Sequence, residues 1–560
     1  MRPSPAKHVV DWSLPYASRR EPVLASNIVA TSQPLAAQAG LEMLRAGGNA
    51  AAAAVAAAAC LTVVEPTSNG IGGDGFFLVW TGGGVHAYDG SGRSPAALTT
   101  HAARARFDGL DEIPFLGWGG VTVPGAPKAW ADLAARFATR PLTDLLAPAI
   151  RYADNGFPVS PQTAYSWQRA AARYLAQDAR PITAEWARVF TAGGRAPNAG
   201  ELWKLPDHAR TLDRIAQTQA ADFYEGELAS KIVEAAQAGG WPLARQDLAA
   251  HAGEFLRPIS TAYAGVELHE IPPAGQGIVA LIALGIMRHL DDAAPDPAAL
   301  DPDTPAGLHR HIEAMKLAFA DGRAYIADRD HMRVDPAALL DDDYLASRAR
   351  LIAPARASQM PAGDPRTGGT VYLTTADASG MIVSYIQSNY TGFGSGVVVP
   401  GTGIALHNRG CCFTLQPDHP NEVGPAKRPY HTIIPGLVTR KDSNANDIPV
   451  MGMGVMGGFM QPQGHAQVVH RVAAMGQNPQ AALDAPRYRV EADQSVVLEP
   501  GFDPAVEGAL RDMGHAVSVA GARTVSHGRG QIAYRMNPAD ETALHCGASD
   551  QRADGQAAGF

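Results

Sequence analysis

Gly368-Gly369-Thr370-Val371-Tyr372-Leu373 sets a threonine behind two glycines and at the head of an apolar run. Asp377-Ala378-Ser379-Gly380 then turns the chain into a second apolar run, Met381 to Ile386. Two such runs around a polar turn predict a β-hairpin, with Thr370 the first residue of its first strand. A free α-amine titrates near pH ~7.7–8.0 and serves as a base at neutral pH. Cutting the Gly369–Thr370 bond would put such a base beside a hydroxyl nucleophile on one residue. The tripeptide alone is also what a glycine turn entering a strand looks like. The flanking sequence decides between the two.

Upstream, residues 353–369 are small, polar and rich in Pro and Gly, which predicts an exposed, flexible loop suited to a chain break. Farther upstream, residues 34–46 have helical spacing and Gly47-Gly48 stops them. Asn49 then caps an alanine-rich helix running to about Thr62. A glycine-rich loop, Glu65 to Gly75, leads into strands at Phe76–Trp80 and on to Asp89. Its glycines precede a strand rather than a helix, so it is not a dinucleotide fingerprint. From Lys128 to Arg350 the pattern is mostly helical, including His311 to Tyr325. Downstream of Thr370 come short strands at 397–399, 433–438, 450–455 and 495–498. Helices follow at 462–475 and 504–513, and a hairpin at 531–535 and 543–546. Strands between helical flanks predict stacked sheets covered by helices.

The chain's 560 residues exceed the ~250–300 that one core usually serves, so one large layered domain or two packed parts are both open. A net charge of −9 with no long basic run gives no reason to expect a nucleic-acid partner. No apolar core follows the basic N-terminal residues, so no secretory signal is read and a cytoplasmic location is expected. The apolar run Ala50 to Val64 is too short for a membrane span. Four cysteines, Cys60, Cys411, Cys412 and Cys546, fit no metal spacing. Buried packing is the expectation for them, with Cys411-Cys412 as a redox pair the alternative. His309 and His311 lie two apart and His269-Glu270 lacks a second histidine at the required spacing. Surface histidines are expected there, and neither a metal nor a cofactor is called for.

Several blocks in order carry a resemblance. They are Gly47-Gly48-Asn49-Ala50 with Val64-Glu65-Pro66, then Gly70-Ile71-Gly72-Gly73-Asp74-Gly75-Phe76, then Val123-Pro124-Gly125. Thr370 follows with Asp377, Gly380, Phe393-Gly394-Ser395-Gly396 and Gly401-Thr402-Gly403-Ile404. Gly424 to Pro429, Gly457-Gly458 and Gly547-Ala548-Ser549-Asp550 complete the set. Together they resemble the γ-glutamyltransferase family of N-terminal-nucleophile hydrolases, over nearly the whole chain. The resemblance implies an α+β fold, a four-layer αββα sandwich made as one precursor. It implies self-cleavage between Gly369 and Thr370 into a large subunit (1–369) and a small one (370–560) that stay associated. Thr370 would then be the nucleophile, Ser388 its supporting hydroxyl, and Gly457-Gly458 the oxyanion pair. The reaction implied is hydrolysis or transfer of a γ-glutamyl group from a glutathione-like amide to water or an amine acceptor.

Substrate recognition departs from the family pattern. Ser91 stands where the family carries an arginine for the α-carboxylate, with Arg93 two residues on. Cys412 stands where it carries the acid that holds the α-amino group, within His407-Asn408-Arg409-Gly410-Cys411-Cys412. His431-Thr432 replaces a serine pair, and Tyr390, beside Asn389, replaces a substrate-binding asparagine. Arg93, Asn389, Tyr390, Arg409, His431 and Thr432 are therefore the candidate substrate-binding residues. Arg93 and Arg409 suit a lone carboxylate held bidentately, with no amine required. That leaves two alternatives: an acylase of the same mechanism acting on a glutaryl-like or other acidic acyl amide, and an inactive homologue kept for binding.

Overall fold

The structure, a computed structural model, describes residues 19–176, 180–292, 301–358, 369–521, 526–537 and 543–560. The N-terminal stretch read for a leader and most of the loop expected before Thr370 (359–368) lie outside them.

Two antiparallel seven-stranded sheets lie face to face. One runs β1 (Val23–Ala25), β18 (His545–Ser549), β17 (Arg529–Arg535), β13 (Asp447–Met456), β12 (Gly436–Lys441), β9 (Val266–Glu270) and β8 (Ile259–Tyr263). The other runs β19 (Gln556–Gly559), β2 (Ile28–Thr31), β10 (Gly369–Ala376), β11 (Ile382–Tyr390), β3 (Asp74–Thr81), β4 (Gly84–Asp89) and β7 (Glu254–Leu256). Each sheet takes strands from both sides of position 369. The short strands β5 (Phe157–Pro158) and β6 (Leu202–Trp203) pair separately, as do β14 (Tyr488–Val490), β15 (Val496–Leu498) and β16 (Val517–Val519).

Strand periodicity explains the layering. Tyr372, Ile382, Ile386, Leu437 and Met456 turn inward and form the core between the sheets. Val371, Leu373, Val383 and Tyr385 point the other way, into a core shared with the helices over that face. Met451, Met453 and Val455 do the same on the opposite sheet, against helices Gly277–Asp292 and Pro305–Tyr325. The alternation Met451-Gly452-Met453-Gly454 lets the sheets approach closely. A Cβ on Gly452 would sit 2.6 Å from Thr374 Oγ1, and one on Gly454 would run into the Tyr372 ring. The result is helix, sheet, sheet, helix, the αββα order the resemblance implies.

Helix Ala50–Val64 is buried on every side, which its small side chains permit. Asn49 caps it by accepting from Ala52 N at 3.1 Å. Asp377, in the β10–β11 turn, accepts from Ala50 N at 2.8 Å and so ties the hairpin to this helix. No helix among the described residues is long and apolar enough to cross a membrane.

Some elements differ from expectation. The mostly helical stretch 128–350 also holds β5 to β9. In β8 and β9 few side chains are buried, so their apolar signal is weak. The strand expected at 397–399 is a single bridge, Val398 to Ala405. The helix expected at 462–475 starts at Met460 and passes into a π-helical turn, His470–Ala474.

Candidate active site

Thr370 lies on β10 where that strand meets β11. Gly369 pairs with Tyr390, but Val371 pairs with Gln387. One extra residue on β11 therefore sets Ser388 and Asn389 opposite Thr370. Such a bulge re-aims side chains beside a site. Thr370 Oγ1 donates to Ser388 Oγ at 3.1 Å, and both residues are buried. Ser388 Oγ also accepts from Tyr390 N at 2.8 Å, which holds the bulge in shape. Tyr390 has φ +72°, the left-handed region that costs a bulky residue ~1–3 kcal/mol.

Gly457 and Gly458 link the end of β13 to helix Met460–Val469, with φ of +137° and +61°. Their carbonyls accept from Met460 N and Gln461 N, each at 3.1 Å, so the turn opens the helix. The first amides of a helix have no partner within it and carry its positive dipole end. Gln461, in that first turn, brings its Nε2 to 3.5 Å from Thr370 Oγ1. The helix that the glycine pair opens is thus linked to the hydroxyl through the Gln461 side chain. Arg529 approaches from β17, its Nη2 3.5 Å from Thr370 O and its Nη1 3.0 Å from Glu65 Oε1.

Arg409 opens a 3-10 turn, Arg409–Cys412, and is wholly buried. Its Nη1 donates to Thr432 Oγ1 at 2.6 Å, and its Cζ lies 4.6 Å over the Tyr390 ring. Tyr390 is the strand partner of Gly369, so this guanidinium packs on the side chain of the residue opposite Gly369. Its Nε and Nη2 have no hydrogen-bond partner, and neither do the side-chain Oδ1 and Nδ2 of buried Asn389. Cys412 Sγ is 3.9 Å from Arg409 Nη1.

The other candidates are engaged elsewhere. His431 Nε2 donates to Asp74 Oδ2 at 3.0 Å and its Nδ1 accepts from Ile433 N at 3.3 Å, so neither ring nitrogen is offered to a ligand. Thr432 acts on Arg409, as above. Arg93, expected to hold a substrate carboxylate, gives its guanidinium to Asp328 at 2.7 Å, with Glu254 at 3.8 Å and Asp330 at 3.9 Å. It is one-third exposed, in an ion-pair network shared with Arg428 and Arg329. Ser91, at the family's arginine position, bonds Asp89 through its own amide and hydroxyl.

Asp74 was not among the expected site residues. It is fully buried, faces Ser388 across the β3–β11 register, and accepts from Gly125 N and His431. Burial, partly offset by Arg409, pushes its carboxyl up to about 7. His407 Nδ1 accepts from Arg409 N, so its Nε2 carries the proton, 3.9 Å from Asp74 Oδ1. Burial and Arg409 hold His407 down at about 3 and His431 well below its usual range. The only sequence signal for Asp74 was an acid inside a glycine run that enters a strand. Gln461 and Arg529 carried none.

His309 and His311, expected at the surface, are buried. His309 Nδ1 lies 2.8 Å from His515 Nε2 beside Glu313, a trio close enough to hold an ion. Lys316 Nζ already sits 2.9 Å from Glu313 Oε1 and 3.1 Å from His515 Nδ1, so the protein supplies its own cation there. Cys60, Cys411 and Cys546 are buried thiols, Cys412 is partly exposed, and none of the four is in a disulfide.

A family model described as gamma-glutamyltranspeptidase matches residues 36–560. The chain belongs to this family. It is 34% identical over 543 residues to a glutathione hydrolase-like YwrD proenzyme of Bacillus subtilis, covering 95% of this chain and 98% of that one. It is 36% identical over 541 residues to an oxamate amidohydrolase proenzyme of Klebsiella pneumoniae, covering 94% and 97%. The crystal structure of cephalosporin acylase from Bacillus halodurans superposes with a TM-score of 0.91 at 47% identity, covering 98% and 99% of the two chains. Family and relatives together make this gamma-glutamyltranspeptidase-family chain an enzyme of the N-terminal-nucleophile hydrolase type.

Proposed function

We propose that the chain is a self-processing amidohydrolase whose nucleophile is Thr370 and whose acyl substrates carry a lone carboxylate. The buried Arg409 carries this reading. Two of its nitrogens are unpartnered, and it packs on the ring of Tyr390, the residue opposite Gly369 in the strand register. Arg409 would take the carboxylate, with the Asn389 amide beside it.

In the precursor, Thr370 Oγ attacks the Gly369 carbonyl carbon, the C–N bond breaks and an ester forms. Water then hydrolyses that ester, leaving the Gly369 carboxylate and the Thr370 α-amine. In the cut enzyme the amine takes the Oγ proton as Oγ attacks the substrate amide, and passes it to the leaving nitrogen. Ser388 keeps Oγ aimed, and the amides of the Gly457-Gly458 turn face the developing oxyanion, each good donor worth ~3–4 kcal/mol. Water releases the acid.

The relative named for oxamate fits an acyl group that presents an acid without an amine, and the one named a cephalosporin acylase fits an acyl amide other than glutathione. The γ-glutamyl reading keeps the support of the relative named glutathione hydrolase-like. Against it, Cys412 supplies no carboxylate for an α-amino group, and both Asp74 oxygens are occupied.

Intact mass and a denaturing gel test the nucleophile: two fragments from the natural chain, one uncut and inactive chain from Thr370→Ala. Full turnover by an uncut chain would overturn it. Turnover of glutaryl, γ-glutamyl and neutral butyryl anilides tests the acyl group, and preference for the γ-glutamyl compound would overturn the lone-carboxylate reading.

A further inference from the structure

Gln276 stands just before helix Gly277–Asp292 and is wholly buried. Its Nε2 donates to Thr432 O at 2.7 Å and to Gly458 O at 2.9 Å. Its Oε1 accepts from Tyr430 OH at 3.2 Å. Its backbone N donates to His431 O at 2.9 Å, and His431 N donates to Ala274 O at 2.9 Å. An NH2 group has two hydrogens, and here each meets a carbonyl. Those carbonyls belong to the two halves of the site. Thr432 holds Arg409, and Gly458 lies in the turn whose amides face the oxyanion.

We infer that Gln276 is a positioning residue that locks the oxyanion turn and the carboxylate-binding arginine to each other. The inference rests on the roles proposed above for Gly458 and Arg409. Glycines at φ +137° and +61° have no side chain to fix their peptide planes. The bond to Gly458 O holds the plane of the peptide from Gly458 O to Phe459 N–H, and so anchors the turn directly beside the Gly457 and Gly458 amides. The bond to Thr432 O fixes the backbone that aims the Thr432 hydroxyl at Arg409 Nη1. One rigid amide thus sets the spacing between acyl carboxylate and scissile carbonyl. No other glutamine-like side chain does this: glutamate lacks the donors, and asparagine is one methylene short.

The variants are Gln276→Met, of similar length and without the amide, and Tyr430→Phe, which removes only the hydroxyl on Oε1. With active sites counted by acyl-enzyme burst, Gln276→Met should lower kcat by about tenfold to hundredfold, the cost of a misplaced donor. It should also raise KM for a glutaryl anilide several-fold while leaving KM for a neutral butyryl anilide unchanged. Tyr430→Phe should shift both in the same direction by less. Crystal structures of natural and Gln276→Met chains read the same lock without any turnover, as a moved Gly457-Gly458 turn and a lost Arg409–Thr432 bond. An unmoved turn would overturn the inference even if the proposed substrate is wrong. So would losses confined to the number of active sites, with kcat per site and both KM values intact. Should Gln276→Met fail to fold, normal kcat and KM in folded Tyr430→Phe would overturn it.

Discussion

Arg409 and Arg93 are the same side chain in opposite circumstances. Arg409 is wholly buried, shares one nitrogen with a threonine hydroxyl and has two nitrogens with no partner. Arg93 is one-third exposed and has three carboxylates within 3.9 Å. A guanidinium already neutralised has little left to give a ligand. A buried one that is hydrogen-bonded to a neutral hydroxyl, with Asp74 as its nearby acid, keeps donors free for an anion, and the protein bears its desolvation cost in advance. Readiness to bind is therefore a matter of counter-ions, which a sequence does not display.

The largest expected effect breaks that pair apart. Arg409→Met should raise KM for glutaryl anilide by about 10- to 150-fold, the worth of a charged hydrogen bond of ~1.5–3 kcal/mol. KM for a neutral acyl anilide should hardly move. The melting temperature should hold or rise, because removing a poorly paired buried charge is neutral or stabilising. A fall in melting temperature with unchanged KM would make Arg409 a structural residue.

Next in size is the support of the proposed nucleophile. Ser388→Ala removes the acceptor for Thr370 Oγ1 and the bond that holds Tyr390 N. A net hydrogen bond of ~1 kcal/mol, together with some loss of aim, should lower kcat about tenfold. Ser388→Thr should recover most of it, and self-cleavage should slow in step with kcat. Loss of kcat without slower self-cleavage would separate the two reactions.

A smaller effect sharpens the comparison through pH. Asp74 is pushed by burial up to about 7, close enough to Arg409 for that charge to oppose the shift. The two histidines facing it stay neutral across this range, and nearby Asp89 adds to the upward push. Below pH ~6 the Asp74 carboxyl is neutral and Arg409 is free to attract an anion. As pH rises through about 7, Asp74 ionises and competes with the substrate carboxylate, so KM for glutaryl anilide should rise several-fold. For stability the sign follows from a folded value above the unfolded one. The contribution is complete below the unfolded value near ~3.8 and is lost as pH climbs through about 7. Asp74→Asn should flatten both profiles, and an unchanged KM profile would remove Asp74 from the binding site.

The reaction end was far more legible in the sequence than the recognition end. Thr370 behind two glycines, the polar turn at Asp377 and the glycine pair at 457–458 stand out once the ordered blocks around them are read together, because the proposed nucleophile and oxyanion turn depend on local backbone features. Stacked sheets covered by helices were readable for the same reason, since strand alternation and an alanine helix are local signals, while the αββα order itself came from the resemblance. The bulge that sets Ser388 and Asn389 against Thr370 is a register fact between strands, and no residue type signals it. Arg93 looked as good as Arg409 because its partners, Asp328, Glu254 and Asp330, come from more than 160 positions away. His431 looked like a ligand-binding group, but Asp74, 357 positions earlier, accepts its Nε2–H hydrogen bond. Recognition here is assembled from long-range pairs, which composition and spacing do not reach.

The smallest expected effect is the control that gives the first its meaning. Arg93→Met removes a guanidinium whose neighbours already include Arg428 and Arg329, each within reach of Glu254. Those cations remain to balance most of the acidic cluster. The pairs with Glu254 and Asp330 are partly exposed and worth ~0–1 kcal/mol, which salt weakens further, and buried Asp328 keeps the Arg428 backbone N–H as a donor. The melting temperature should therefore drop by no more than a few degrees, less at high salt. KM for glutaryl anilide should stay within about twofold of the natural chain, since ~0.4 kcal/mol is all that twofold represents. Should Arg93→Met instead raise KM as much as Arg409→Met, the ion-pair network would have to open when substrate binds. The contrast between a committed and an uncommitted arginine would then not extend to the substrate complex.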